Sequence, residues 1–309
     1  MAKHIVEPER STLHGHFSTD LPPAITIDAG DAVQFRTLDA GWAIERPEDP
    51  KKVTKFEPRE KGKDDGHALC GPVAIRNAEP GMTLEVQIEH IRVGTWGWAG
   101  GGWDNGYNHR LGFEKGCTPS SHFWDLNPDT LTGTNQHGHT VKLRPFMGVM
   151  GLPPNQPGDH GTGPPRYCGG NLDCKELIAG TTLYLPIAVP GALFSTGDGH
   201  AVQGDGEVSG VAIECPMDEV VLTFHLHDSM PLSNPRARTN EGWLTFGLHE
   251  DLNEATTLAL KDMLDLMEQH HNLNRADAIA LASLLVDLRI TQIVNGTRGF
   301  HAVLPHDAL

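Results

Sequence analysis

The sequence predicts a mostly-β protein: a sandwich- or barrel-like body followed by a smaller α+β part at the C-terminus. Glycine and proline are abundant, at 35 and 22 of 309 residues, while aromatics are only 6%, a balance that suits many short strands joined by turns. Apolar and polar residues alternate in short runs through most of the chain. Helical periodicity shows only late, from Asn253 onward.

Near the N-terminus, AITI and AVQFRT flank Asp28-Ala29-Gly30-Asp31, which predicts a hairpin. Residues 45–65 are charged and poor in apolar side chains, the composition of a solvated loop. Pro80-Gly81 then opens MTLEVQIEHIRV, a strand whose period puts Leu84, Val86, Ile88 and His90 on one face. AGDAVQF and PGMTLEV look alike, as equivalent turns of a sandwich would, but the similarity is too slight to define a repeat. Trp96-Gly97-Trp98 leads into a Gly- and Asn-rich stretch over residues 100–122, long enough to serve as a lid or a partner contact.

In VVLTFHLHDS, Val220, Leu222, Phe224 and Leu226 form the buried set, and Val221, Thr223, His225 and His227 the opposite one. Two histidines on one side is ligand geometry, yet a solvent-facing pair is the commoner outcome. The same weighing applies to the His-Gly-His runs at His14–His16 and His137–His139. Further on, Asn253 caps a helix over EATTLALKDMLDLMEQHH, and Asn274 with Asp277 forms a capping box for RADAIALASLLVDL. Leu258, Met263, Leu266 and Met267 make a stripe suited to core packing. ITQIVN and GFHAVLP around Asn295-Gly296 predict a closing hairpin. The chain reads as one unit over residues 1–309, with sub-parts 1–160, 161–250 and 251–309.

A formal net charge of -16 argues against a nucleic acid or an anionic membrane as partner, since both would be repelled. A neutral or cationic small molecule fits better. The start, MAKHIVEPERSTLHGHF, lacks the basic cluster and apolar core of a secretory signal, and no apolar run reaches the length of a membrane span, so a soluble cytoplasmic protein is expected. The five cysteines are odd in number and form no CxxC pair, which predicts reduced thiols. The CGGNLDC run of Cys168 and Cys174 matches no recognised zinc-thiolate spacing.

Chemistry concentrates in residues 168–214, where Asn171, Asp173, Asp198, His200, Gln203, Asp205, Glu207 and Glu214 sit among glycines around one apolar, strand-like run. Asp and Gly are common turn formers, so GDGH and GDGE taken singly read as turns. Taken together at the end of a buried strand, these side chains are more ligands than solubility requires. Tight turns let several carboxylates and an imidazole converge on one point.

HGHF, LPPAITIDAGDAV, GHALCGPVAIRNAEPGMTLEV, RPFMGVMG, ITQIVNGTRGFHAVLP and above all GGNLDCKELIAGTTLYLPIAVPGALFSTGDGHAVQGDGEVSGVAIE resemble the acetamidase/formamidase family over most of the chain. The resemblance implies hydrolysis of short aliphatic amides, formamide or acetamide, with γ-lactams an alternative, and a bound divalent metal, commonly zinc. It also implies a homo-oligomer. Carried over position by position, the matching residues are His67, Asn171, Asp173, Asp198, His200, Gln203, Asp205, Glu207 and Glu214. Ala68, Cys70 and Met82 depart from the family pattern, and the longer loop at 100–122 makes the substrate harder to transfer.

Amide hydrolysis needs an activated water, a polarised carbonyl and a proton for the leaving nitrogen. A divalent ion on Asp173, Asp198 and His200 supplies the first two, with His67 an extra ligand or orienting group. Glu207 is expected to shuttle the proton, Glu214 being the alternative, while Asn171 or Gln203 donates to the oxyanion. Trp96 and Trp98 are expected to wall the pocket. No GxSxG elbow is present, and Ser195 and Cys174 have no activating base nearby in sequence. A competing reading is a non-catalytic β-sandwich in which the same oxygen-rich set holds calcium.

Overall fold

A computed structural model describes residues 2–49 and 51–309. Among the described residues, twenty-one strands and three helices make a mostly-β fold, with the two longer helices near the C-terminus as expected. The largest sheet has nine strands, in the spatial order Lys3–Val6, Ala32–Thr37, Met217–His227, Thr83–Val93, Thr181–Pro186, Arg236–Arg238, Gly242–His249, Arg298–Pro305 and Asp287–Gln292. A six-stranded sheet runs Gly169–Asn171, Phe146–Gly151, Phe194–His200, Leu69–Ile75 and Leu13–His14, with Ile25–Ile27 also paired to Leu69–Ile75. Both orders are open, so neither sheet closes into a barrel.

The main core lies between these two sheets. Phe194 of the six-stranded sheet packs against Phe35 and Phe224 of the nine-stranded one, with ring centroids 6.4 and 5.0 Å apart. All three rings are fully buried, and each such side chain contributes roughly 1.5–3 kcal/mol of apolar burial. Leu69–Ile75 is buried at every residue, as a strand covered on both faces must be.

Local turn chemistry specifies a reversal but not the strand's partner, and the first expected hairpin shows the difference. Ile25–Ile27 and Ala32–Thr37 both form, yet the first runs parallel to Leu69–Ile75 and the second antiparallel to Met217–His227. The turn at Asp28 to Asp31 therefore carries the chain from one layer to the other. His90 also leaves its expected face. Val221 pairs with His90 while Leu222 pairs with Ile88, so one extra residue bulges out, His90 turns to solvent, and Ile91 and Val93 take up the core.

At the C-terminus the helix Leu252–His271 is capped by Asp251, whose side chain accepts from the Asn253 and Glu254 amides; Asn253, the expected cap, lies inside the helix. Asn274 caps Arg275–Leu285 as expected, accepting from the Asp277 amide at 3.0 Å. Met263, Leu266 and Met267 are buried against the sheet. Helix and sheet approach so closely at Gly247 that a Cβ there would lie 1.8 Å from the Ala255 carbonyl oxygen. The hairpin of Asp287–Gln292 and Arg298–Pro305 forms around Gly296, which has a φ of 77°. All five cysteines are free, and among the described residues no helix is long and apolar enough to cross a membrane.

Of the paired histidines, His14 is part of the core. Its Nε2 lies 3.0 Å from Ser195 Oγ and its Nδ1 2.7 Å from the His16 carbonyl. Burial pushes its pKa down from 6.5 to about 4. The unfolded chain therefore takes up the proton first, so the stability contributed by neutral His14 is complete above pH 6.5 and is lost as the pH falls toward 4. The expected loss is roughly 3 kcal/mol. Urea unfolding across that interval should show it, with a shallower slope in His14→Gln; equal slopes would contradict the assignment.

Candidate active site

Four carboxylates and one imidazole converge at the end of the strand Phe194–His200. Asp198 and His200 come from that strand, and Asp173 and Glu207 from loops on either side of it. Asp173, Asp198 and Glu207 have φ values of 50°, 59° and 46°, left-handed backbone uncommon outside glycine, and all three side chains are buried. Glu214 is placed by pairing: its amide donates to the Trp98 carbonyl and the Trp98 amide to its own carbonyl, at 2.8 and 2.9 Å. It also bridges to His200, so Trp98, Glu214 and His200 lie side by side where the strand Trp96–Gly101, of a separate four-stranded sheet, meets Phe194–His200.

Close convergence requires a glycine opposite. A Cβ at Gly148 would lie 2.4 Å from Asp198 Oδ2, 2.8 Å from Asp173 Oδ1 and 2.9 Å from His200 Cε1. Asp173 is further held by Asn295, whose Nδ2 donates to Oδ2 at 2.6 Å. His200 Nε2 sits 3.3 Å from Asp198 Oδ1 and 3.4 Å from Glu214 Oε2. The ligand-type atoms group into two trios that share His200, one with Asp198 and Glu214 and one with Asp173 and Glu207.

The electrostatics of this cluster call for a cation. Burial, reinforced by Glu207, pushes the Asp173 carboxyl well above the usual carboxylate range. Burial likewise raises Glu214, and lifts Glu207 to about 8. Against the effect of burial, His200 and His67 hold Asp198 well below the usual value, and Glu214 and Asp198 pull His200 well above its own. A single imidazolium cannot balance four buried carboxylates, so protons must take the place of positive charge. Asp173 Oδ1, His200 Nδ1, Glu207 Oε2 and Glu214 Oε2 are buried without any hydrogen-bond partner. Oxygen and imidazole donors left free in this way fit a divalent ion such as zinc or calcium.

A cavity of about 600 Å³ opens onto the cluster. Asp198, His200, Glu207 and Glu214 line it, and Asp173 lies behind them. His67 lines it too, with Nδ1 buried and unpartnered. Asn171 reaches the cavity with Nδ2 already donating to the Gly163 carbonyl and Oδ1 free. Trp98 forms a wall, its Nε1 fixed by Asp39 Oδ2 at 2.9 Å.

Two expected placements differ. Trp96 does not line the cavity, because two residues along an extended strand is roughly 7 Å. Gln203 does not line it either; its Nε2 donates to the Asp173 carbonyl at 2.8 Å, so it positions backbone. Asp205 is exposed and pairs with Lys175 at 3.0 Å, as a turn residue would. Sequence reasoning missed Asn295, Trp42, Lys55 and Arg59, all of which line the cavity. The last two come from the stretch expected to be a solvated loop, and Arg59 lies over the Trp42 ring at 5.1 Å. Ser195 does have a histidine partner in space, His14, but neither borders the cavity.

The sequence profile of the Acetamidase/Formamidase family matches residues 2–157 and 158–308. The formamidase of Methylophilus methylotrophus is 26% identical over 249 residues, covering 64% of this chain and 60% of the relative. The acetamidase of Mycolicibacterium smegmatis is 26% identical over 252 residues, covering 63% and 61%. The chain thus spans about 60% of the length of the curated relatives it matches. Among crystal structures, a protein of Thermoanaerobacter tengcongensis predicted to be an acetamidase/formamidase superposes with a TM-score of 0.86 at 26% identity, over 99% of this chain and 96% of that one.

Proposed function

The chain belongs to the acetamidase/formamidase family, and we propose that it hydrolyses short aliphatic amides of the formamide and acetamide type to the carboxylate and ammonia, with a divalent metal ion, zinc by preference. The observation that carries this reading is the set of Asp198, His200, Glu214 and Glu207 lining one cavity.

Asp198, His200 and Glu214 would hold the ion, since they contact one another and all three face the cavity that a substrate must enter. When bound, the ion supplies Lewis acidity and lowers the pKa of a water. Glu207 is then free to handle the proton. Its Oε2 has no partner, which leaves that oxygen available to take a proton from the attacking water and pass it to the departing nitrogen. Glu214 suits that role less well because its Oε1 is engaged by the Ala212 amide at 2.9 Å. Asn171 changes role from the sequence expectation: with Nδ2 occupied and Oδ1 free, it is an acceptor for the substrate N–H. His67 and Trp98 orient the substrate and exclude water around it.

The size of the cavity favours a second reading in which the substrate is a larger carboxamide or a lactam, because about 600 Å³ is far more room than formamide fills. Ammonia release from formamide, acetamide and longer amides, with lactam opening scored in parallel, tests both. Turnover of at least one short amide is expected. A folded, metal-loaded protein that turns over none of them would leave only metal binding.

A further inference from the structure

Away from the cavity, a second group of ligand-type side chains converges in the core. Cys174, Glu176 and His301 are all buried, and their ligand atoms lie within 4.8 Å of one another. Cys174 and Glu176 follow Asp173 in the chain, whereas His301 comes from the strand Arg298–Pro305. Cys168, the nearer cysteine in sequence, takes no part, since its Sγ donates to the Leu152 carbonyl.

Each of the two polar partners is fixed on one side and free on the other. His301 Nδ1 lies 2.7 Å from Thr291 Oγ1, which orients the ring, while Nε2 is buried with no partner. Glu176 Oε1 accepts from Arg289 at 3.1 Å, while Oε2 is buried with no partner. A hydrogen-bonded far nitrogen and a hydrogen-bonded far carboxylate oxygen are the supports that orient metal ligands. Buried polar atoms otherwise find partners, so two orphans on residues that converge with one thiol need an explanation.

We propose that Cys174 Sγ, Glu176 Oε2 and His301 Nε2 form a second metal site, separate from the cavity, for a borderline divalent transition ion of the zinc type. Sulfur, imidazole and carboxylate together select such an ion over calcium or magnesium, which prefer all-oxygen ligands. Binding releases the Cys174 thiol proton to solvent, so that a thiolate joins the Glu176 carboxylate, itself paired with Arg289, in facing the ion. Without a cation, burial and the neighbouring Glu176 hold that thiol protonated. The ion ties the 173–176 segment to the C-terminal hairpin, the same hairpin that supplies Asn295 to Asp173. The role is structural.

Cobalt(II) supplied in place of zinc is the probe, because thiolate-to-cobalt charge transfer absorbs in the near ultraviolet and the cavity cluster contains no sulfur. Wild-type protein is expected to show that band. Cys174→Ser should lose it together with one equivalent of cobalt, and Cys117→Ser, lacking the exposed thiol, should keep it. His301→Gln provides a second test if Cys174→Ser does not fold, and should lose the same equivalent. A folded, cobalt-saturated wild type without the band, a Cys174→Ser protein that retains it, or full occupancy in His301→Gln would overturn the proposal. None of these outcomes depends on whether the cavity hydrolyses amides.

Discussion

Replacing His200 by alanine is expected to abolish amide hydrolysis and to remove the metal ion from the cavity. His200 is the member common to both ligand trios, so its loss removes a ligand from either arrangement. Its loss also removes the fully buried positive charge nearest Asp173, Asp198, Glu207 and Glu214, which favours their taking up protons and makes them poorer ligands. Losing an ion that supplies several kcal/mol of transition-state stabilisation lowers kcat/KM on the order of a thousandfold or more. Metal content by elemental analysis and ammonia release should fall together in a protein that circular dichroism shows to be folded. Undiminished metal occupancy would remove His200 from the ligand set.

Glu207→Gln is expected to separate the two functions, retaining the ion while losing turnover. The glutamine keeps the shape of the side chain but cannot release a proton, so kcat should drop by roughly 10²–10⁴, the usual contribution of a positioned acid–base group. Glu214→Gln should behave differently, because Glu214 contacts His200 at 3.4 Å within the trio proposed to hold the ion, and metal should be lost with activity. If Glu207→Gln keeps wild-type kcat while Glu214→Gln keeps metal but loses kcat, the two roles are exchanged.

Much of this centre was legible in the sequence because its principal residues lie in one stretch, 168–214. Buried strand and glycine-rich turns are both visible there, and Asp173, Asp198, His200, Glu207 and Glu214 do converge. Local sequence could not show contacts made from elsewhere in the chain. Asn295 carries a strong turn signal, which accounts for its position without revealing that its side chain reaches Asp173 across 122 residues. Asp39 fixes Trp98 from a distant segment, and Gly148 matters for what it leaves out. The charged composition of residues 45–65 indicated a loop, as its described residues are, but not that Lys55 and Arg59 would border the cavity.

The fold followed the same division. Alternation and turn residues located strands and the closing hairpin, yet the partners of Ile25–Ile27 and Ala32–Thr37 depend on sheet pairings made far along the chain. The bulge that exposes His90 arises from pairing with Met217–His227 and leaves no trace in the alternation of MTLEVQIEHIRV itself. Helix capping was readable to within a choice of neighbours: Asn274 was right, and Asp251 displaced Asn253 because it is the residue with extended backbone before the first turn.

We propose that the buried carboxylate–imidazole cluster hydrolyses amides with the aid of a divalent ion. The most direct test is ammonia release from formamide and acetamide before chelation, after removal of metal, and after zinc is restored. Release should stop when the ion is removed and return when it is replaced. Undiminished release by folded, metal-free protein would contradict the claim.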